Sequence, residues 1–273
     1  MELNSENYFD LEMQRKYNHV SSYKSMFGTP FKVGCEAREI DRLNGKYIEE
    51  SDSKALLVGT YVDIALTGTK EEMDKFIETN NVISTRGVTK GQLKSEYQQA
   101  NVMIERVKRD KFMMKTLSGQ KQVIMTGKIF DTDWAIKVDS LLDNAIVDLK
   151  TVQSIRKGYW DSKNAHYTSF PIYMGYDIQL AIYQEVVRQN IGKTLPCFLT
   201  CVSKETVPDI EVIQIDNDTL AETLESMKDN IIQMDLLKKG KAEPCKCGKC
   251  DYCRQRKVLK APINYLELAG ELD

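Results

Sequence analysis

The sequence predicts a mixed α/β fold in which helices pack on a sheet, and the order of its patterns carries that prediction. Helical segments fill the first part of the chain, apolar residues then alternate at period two through three successive segments, and helical and strand patterns alternate afterwards. The 273 residues are 42% hydrophobic and 29% charged, a balance typical of a globular protein with a sizeable core. We therefore expect a helical N-terminal part, a sheet core and a cysteine-rich C-terminal tail.

The N-terminal part is predicted to hold several helices bounded by turn residues. Ser21 and Ser22 are typical caps for a short helix that ends near Gly28, before a break at Thr29-Pro30. Further helices are expected over residues 35–43, ending at Asn44-Gly45, over residues 53–66, and over most of a charged stretch at 91–116.

The core is predicted to begin with three strands, in which Val, Ile and Trp recur at period two. A loop with Gly158, Tyr159 and Trp160 then leads to a long helix. That helix begins at Pro171, a favourable first helical residue, and ends at Gly192. The first three strands are expected at residues 121–130, 134–142 and 145–151, two later strands at 196–203 and 210–215, and a last helix at about 218–239.

The composition argues against several classes of protein. No apolar run approaches the roughly 20 residues needed to span a bilayer, so we expect no membrane partner. The polar, acidic N-terminus is unlike a signal or transit peptide, and a cytoplasmic location is the default expectation. His19 and His166 are the only histidines in the sequence and no Gly-rich phosphate loop is present, so neither a nucleophilic triad nor a P-loop is indicated.

A predicted hairpin brings two carboxylates together. Asp143-Asn144 is a favourable two-residue turn, because both residues tolerate positive φ. If Leu142 and Ala145 flank the turn as a pair, Asp139 lies directly opposite Asp148, with Cβ atoms roughly 4.5–5.5 Å apart. Like charges placed this way destabilise a sheet, so the arrangement needs an explanation.

Two explanations fit the hairpin, and both involve lysines. In the first, the ladder is exposed and Lys137 and Lys150 neutralise the aspartates diagonally. In the second, a divalent cation lies between the carboxylates, polarises a phosphoryl group and lowers the pKa of a bound water. Lys150, on the same face as Asp148, would then orient or deprotonate that water and stabilise developing negative charge. These residue types suit phosphodiester hydrolysis.

Three motifs then resemble a known superfamily. Val138-Asp139 followed by Asp148-Leu149-Lys150-Thr151 resembles the PD-(D/E)xK nuclease signature, with Val138 where a proline often stands. Gln179 and Tyr183, four residues apart on one helical face, are similar to the QxxxY motif of the RecB-like branch. The segment that contains Gly59 and ends at Asp63 is similar to the first motif of that branch. Together they resemble phage and prophage exonucleases of the RecE type, which are exodeoxyribonuclease VIII-like.

The resemblance implies a fold and a set of site residues. The fold would be restriction-endonuclease-like, with a mixed sheet flanked by helices, as a single nuclease domain over residues 1–273. Its parts would be a mainly helical segment at 1–116, a catalytic core at 117–237 and a basic cysteine-rich segment at 238–260. Mg²⁺ or Mn²⁺ would bind Asp139, Asp148 and the carbonyl of Leu149, with Asp63 as an outer ligand, and the catalytic set would be Asp139, Asp148, Lys150, Gln179 and Tyr183. In the family, the Gln and Tyr position the lysine and contact DNA.

The cysteine-rich tail predicts a metal site of open identity. The run Cys245-x-Cys247-x2-Cys250-x2-Cys253 could by itself hold a tetrahedral zinc ion. Alternatively, Cys35 replaces Cys245 as the first of four ligands. This split pattern resembles iron-sulfur relatives, in which a 4Fe-4S cluster joins the N-terminal helices to the tail. The split site is preferred over the local zinc site and over free, reduced cysteines. Cys197 and Cys201 lie in an apolar strand and are expected to be buried.

The function implied by the resemblance is a Mg²⁺- or Mn²⁺-dependent DNA exonuclease of phage-type recombination, in a bacterium or phage-infected host. Its expected partners are linear double-stranded DNA, a single-strand annealing protein and further copies of itself in a ring. The bases between Lys238 and Lys260, opposed there only by Glu243 and Asp251, suit contact with phosphate. Two alternatives stay open: a non-catalytic nucleic-acid-binding module with a structural metal site, and an endonuclease.

Overall fold

The computed structural model describes residues 2–48, 54–161 and 165–265. Among them a five-stranded mixed sheet has the order β1-β2-β3-β6-β7, and a separate two-stranded hairpin joins β4 and β5. The strands are β1 (Gln120–Ile129), β2 (Thr132–Leu142), β3 (Ala145–Val152), β4 (Tyr159–Asp161), β5 (His166–Thr168), β6 (Cys197–Ser203) and β7 (Ile210–Ile215). Within the large sheet β3 and β6 are parallel and the other neighbours are antiparallel.

Helices precede, interrupt and follow the strands. They are α1 (Leu11–Lys16), α2 (Val20–Phe27), α3 (Glu36–Leu43), α4 (Lys54–Thr67), α5 (Lys70–Thr79), α6 (Ser95–Lys108), α7 (Lys111–Thr116), α8 (Phe170–Tyr173), α9 (Tyr176–Ile191), α10 (Asn217–Ser226), α11 (Lys228–Lys238) and α12 (Asp251–Gln255), with a short 3-10 turn at Gly87–Thr89. Within the described residues no helix has both the length and the apolar character that crossing a bilayer requires.

The sheet separates two hydrophobic cores. On one face, Ile146 and Leu199 pack with α2, α9 and α11. On the other face, Val147 and Leu149 pack with α4 and α6. Neighbouring residues of β3 enter opposite cores because strand side chains alternate, so this strand is apolar on both sides. The result is a sheet covered by helices on both faces, as the predicted fold class requires.

The predicted strands agree with the structure, but several helix predictions were wrong in detail. Ser21 and Ser22 lie inside α2, whose N-cap is His19. The single helix expected from Pro171 is broken at Gly175, which has φ 66°, and only its end at Gly192 is confirmed. The last helix is divided at Met227. The predicted start at Ser53 lies outside the described residues.

Other elements were missing from the prediction. The loop with Tyr159 and Trp160 contains the β4–β5 hairpin, in which Tyr159 pairs with Thr168. Helices α1, α5 and α12 were not anticipated either. The hairpin and these three helices are short or polar, so their sequences contain too few apolar residues to show a period.

Candidate active site and cysteine cluster

The β2–β3 hairpin adopts the predicted register. Leu142 pairs with Ala145 around the Asp143-Asn144 turn, and Ser140 pairs with Val147. This part of the prediction is confirmed, but the ladder ends at that last pair, one step before the two aspartates. Asp139 and Asp148 therefore stand next in the register without a backbone pairing of their own.

The side chain of Asp139 makes the next contact between β2 and β3, beyond the last backbone pair of the ladder. Its Oδ2 accepts a 2.8 Å hydrogen bond from the backbone N–H of Leu149. Val138 and Leu141 contact the same core although they are three residues apart, so the alternation of faces breaks between them. On β1, Gln122 is the residue between the partners of Val138 and Ser140, and it has φ 51°. Such left-handed backbone is costly for a residue other than glycine and is typical of functional sites.

Asp148 is the most deeply buried acid of the hairpin, at 1% exposure. Its Oδ1 accepts a 2.7 Å hydrogen bond from Nε2 of Gln179 on α9. Its Oδ2 forms an ion pair with Nζ of Lys150 at 2.5 Å and has no other partner among the described residues. A buried carboxylate oxygen in this state can bind a further positive group.

Lys150 lies between a carboxylate and an aromatic ring. Its Nζ is 4.9 Å from the ring centre of Tyr176, the first residue of α9. Burial by itself would lower the pKa of this ammonium, but Asp148, Tyr176 and Asp139 raise it above its ordinary value. Lys150 is therefore a fixed cation in this arrangement.

A second lysine approaches the same ring. Nζ of Lys24 on α2 is 5.1 Å from the ring centre of Tyr176 and donates to the carbonyl oxygens of Met174 and Gly175, at 3.1 and 3.0 Å. These carbonyls belong to the break between α8 and α9. Burial, and next the charge of Lys150, lower the pKa of Lys24 to about 8. Lys24 thus holds the start of the helix that carries Tyr176 and Gln179.

Asp63 joins the cluster from the opposite helical layer. Its Oδ1 accepts a 2.8 Å hydrogen bond from Oγ1 of Thr67. The Thr67 hydroxyl in turn accepts a 2.9 Å hydrogen bond from Nε2 of Gln122. Nε2 of Gln122 also lies 3.4 Å from Oδ1 of Asp139, so one chain of contacts links the two acids. Burial and then the charge of Asp148 raise the pKa of both Asp63 and Asp139, that of Asp139 well above its ordinary value.

The acids share one electrostatic environment without forming a tight trio. Among the described residues, the only group of three or more His, Cys, Asp or Glu side chains placed to hold a metal ion consists of cysteines. Asp63, Asp139 and Asp148 do not form such a group in this structure. Carboxylate and carbonyl oxygens are nevertheless the donors that Mg²⁺ and Mn²⁺ prefer, so this set fits such an ion chemically.

Tyr183 is buried close to the acids and to Gln179. Its ring is 7% exposed, and burial, followed by the charges of Tyr8, Asp148 and Asp139, raises the pKa of its phenol well above the ordinary value. Its phenol forms a side-chain hydrogen bond with Gln179. Gln179 itself contacts Asp148, whereas the aromatic ring next to Lys150 is that of Tyr176.

Sequence reasoning missed Tyr176, Lys24, Gln122 and Thr67. Tyr176 had a usable signal, because it precedes Gln179 by three positions and so shares its helical face. Gln122 had none, since its unusual backbone is not visible in the sequence. Lys24 and Thr67 reach the site from separate elements, which no local pattern reveals.

Four cysteines converge at a second site. The sulfurs of Cys35, Cys247, Cys250 and Cys253 all lie within 4.8 Å of one another, and that of Cys253 is 3.6 Å from Cys35 and 3.9 Å from Cys247. Cys245 is exposed and outside the group. The structure thus contains a four-cysteine site with the split ligand set.

The site fastens the tail to the N-terminal helices. Backbone N–H of Ala37 donates to the carbonyl of Cys245 at 3.0 Å, and Oη of Tyr252 donates to Oδ2 of Asp41 at 2.7 Å. By contrast, Cys197 and Cys201 are buried in β6, and burial raises the pKa of each thiol to about 12. Those two thiols are structural, as predicted.

Comparison with known proteins gives a family and a structural relative. Residues 19–256 match the family model described as a PDDEXK-like domain of unknown function (DUF3799). The crystal structure of a "putative exonuclease" from Eubacterium rectale is similar at 42% sequence identity and a TM-score of 0.92, with 100% of each chain covered. The comparison with curated proteins gives no match.

Proposed function

This chain belongs to the family of PDDEXK-like domains, and from that premise we propose that it is a metal-dependent deoxyribonuclease that acts on DNA ends. The observation that carries the proposal is the buried pair of Asp148 and Lys150, at 2.5 Å, beside Asp139 on one hairpin. An isolated buried ion pair contributes little to stability, so its presence beside two further acids favours a catalytic purpose.

The metal-binding role falls to the oxygen donors of the cluster. Asp139, Asp148 and the carbonyl of Leu149 would hold Mg²⁺ or Mn²⁺, with Asp63 as an outer ligand. When bound, such an ion polarises a phosphoryl group and lowers the pKa of a coordinated water. The charge of Asp148 raises the pKa of both Asp63 and Asp139, so a bound cation would relieve the repulsion among these acids.

The remaining side chains hold the Asp148 carboxylate and Lys150 in place and balance charge. Lys150 is protonated next to Asp148, so it suits stabilising the negative charge that develops on a phosphoryl oxygen. Gln179 fixes the orientation of the Asp148 carboxylate. Tyr183 stays a neutral phenol and supports Gln179 through their hydrogen bond. Tyr176 and Lys24 hold Lys150 and the start of α9 in place.

We assign exonuclease activity ahead of endonuclease activity. It is supported by the description of the Eubacterium rectale protein and by the RecE-type motif order. By the same resemblance, the substrate would be linear double-stranded DNA in phage-type recombination, with an annealing protein and a homo-oligomeric ring as partners.

One assay separates this proposal from its alternatives. End-labelled linear DNA and closed circular DNA are incubated with the protein, with and without Mg²⁺. We expect Mg²⁺-dependent loss of linear DNA alone; cutting of the circle would indicate an endonuclease. A gel shift without cleavage would overturn the enzyme and leave a nucleic-acid-binding module. Lys150→Ala must abolish cleavage, whereas Lys128→Ala, which removes an exposed lysine paired with Asp133, serves as the control.

The cysteine site would hold a structural metal. Around a tetrahedral zinc ion, Zn–S bonds of about 2.3 Å place sulfurs roughly 3.8 Å apart. The observed sulfur distances of 3.6 and 3.9 Å lie close to that value. A 4Fe-4S cluster holds its thiolates farther apart, because each binds a different iron. The spacing therefore favours zinc, while the family resemblance favours iron-sulfur. Metal analysis of protein purified without oxygen distinguishes the two. A zinc site gives stoichiometric zinc and a colourless protein, whereas an iron-sulfur cluster gives a brown protein that contains iron.

A further inference from the structure

A large cleft lies beside the cysteine site and has a basic lining. Its volume is about 770 Å³, and its walls come from the segment after α2, from α3 and the residues that follow it, and from the tail around α12. Four bases line it, with Asp251 as the one acid among its lining residues. The bases are Lys32, Arg38, Lys46 and Lys249. This excess of positive charge suits an anionic ligand.

A smaller cleft adjoins this one and shares a lining residue with it. It has a volume of about 290 Å³, shares Lys32 with the large cleft and also contacts Lys24 and Met174. Lys24 binds the carbonyl of Met174 and lies against Tyr176, whose ring also contacts Lys150. A chain of cations thus leads from Lys150 through Lys24 and Lys32 to the large cleft.

The large cleft also offers apolar contacts and a buried guanidinium. Val33 and Ile48, which line it, are 56% and 84% exposed. Arg38 is only 5% exposed, and its Nε has no hydrogen-bond partner among the described residues, although Nη2 donates to Ser25. A positively charged groove with aromatic side chains is typical of surfaces that bind single-stranded nucleic acid, and the partly exposed Tyr47 also lines this cleft.

We propose that the two clefts form a track for a single DNA strand that continues from the active site. Its phosphates would contact Lys32 and Lys46, and its unpaired bases would contact Tyr47, Val33 and Ile48. A duplex stacks its bases inward, so the exposed apolar side chains favour an unpaired strand. The track rests on the proposed nuclease function, because that function supplies the strand.

The test compares strand lengths in the double variant Lys32→Glu/Lys46→Glu. Both side chains are at least partly exposed, so the fold should be kept, and circular dichroism and metal content check it. The control, Lys193→Glu, changes an exposed lysine after α9 that lines neither cleft. Binding of labelled strands of about 4 and about 20 nucleotides is measured by fluorescence anisotropy, with Ca²⁺ in place of Mg²⁺ to prevent cleavage.

The expected result depends on length. The double variant should bind the long strand about tenfold more weakly, and its plot of log K against log salt should become shallower by about 0.7 per lost phosphate contact. Binding of the short strand should stay within twofold of the wild type. Unchanged binding of the long strand, an equal loss for both lengths, or an equal loss in Lys193→Glu would overturn the track. If the binding results are as expected but the wild type cleaves no DNA, the nuclease proposal fails while the track stands.

Discussion

Gln179 donates a 2.7 Å hydrogen bond from Nε2 to Oδ1 of Asp148, while Oδ2 of the same carboxylate lies 2.5 Å from Nζ of Lys150. The carboxylate is thus held from helix α9 on one side and from its own strand on the other. A metal ligand keeps its orientation through such outer partners. We therefore propose that Gln179 acts as a positioning residue through Asp148.

Gln179→Ala should reduce cleavage by about 10- to 100-fold and raise the Mg²⁺ concentration needed for half-maximal activity, because the Asp148 carboxylate can then rotate. Gln189→Ala is the matched control. Gln189 is on the same helix and bonds the backbone of Lys128, away from the acids. Equal effects of both substitutions on activity and on the Mg²⁺ requirement would show that Gln179 acts only through the stability of α9.

Asp139→Asn should stabilise the Mg²⁺-free protein and abolish cleavage. The variant removes one of three mutually repelling acids, and an amide oxygen can still accept the N–H of Leu149. We expect a gain of about 1 kcal/mol in the free energy of unfolding without Mg²⁺. Mg²⁺ should stabilise the wild type, because it binds only the folded state, and should stabilise the variant much less.

Thermal unfolding with and without Mg²⁺ measures both effects. Asp133→Asn is the control, because Asp133 is on the same strand but makes an exposed ion pair with Lys128 at 2.9 Å. If Mg²⁺ stabilises the Asp139→Asn variant as much as the wild type, Asp139 is not a ligand.

Short-range features made the centre of the site predictable from sequence. The turn at Asp143-Asn144 fixes the register by local backbone chemistry, and Asp148 and Lys150 share a face because strands alternate. The sequence did not indicate the backbone distortion at the point where the β2–β3 pairing ends. Nothing local indicates that Gln122 takes a positive φ or that the ladder stops before Asp139.

Long-range features were predictable only where a family pattern supplied them. Cys35 was assigned to the tail cysteines by resemblance, since spacing alone equally allowed Cys245. Lys24 had no such pattern, and its approach to Tyr176 depends on how α2 packs against α9. The break at Gly175 was missed because the apolar spacing runs on across a helix of four residues.

Cys35→Ser and Cys245→Ser should behave differently, although both remove one thiol from the same region. Cys35 lies within the four-sulfur group, and Cys245 is exposed outside it. Because metal binding is coupled to folding at such sites, we expect Cys35→Ser to lose bound metal and to unfold at a clearly lower temperature. Cys245→Ser should keep its metal and its unfolding temperature. Metal analysis and thermal unfolding check this, and a reversed order would restore the local four-cysteine site.

His19 should make the stability of the protein depend on pH in acid. Its ring is 3% exposed, lies 4.7 Å from the ring centre of Tyr8, and has no hydrogen-bond partner for Nε2 among the described residues. Burial, then Lys238 and Arg42, lower the pKa of His19 to about 4. Between about pH 6.5 and 4 the unfolded chain therefore binds a proton that the folded protein excludes.

Stability should thus fall as the pH falls through that window, by at most about 1.4 kcal/mol per pH unit from this group. His19→Gln removes the titrating ring, so the difference in unfolding free energy between variant and wild type should change steadily from pH 7 to pH 4. Carboxylates that titrate in the same range cancel in that difference. His166→Gln is the control, since His166 is the other histidine and is exposed. Urea unfolding at several pH values gives the result, and a constant difference for His19→Gln would show that the buried ring takes up its proton at an ordinary pH.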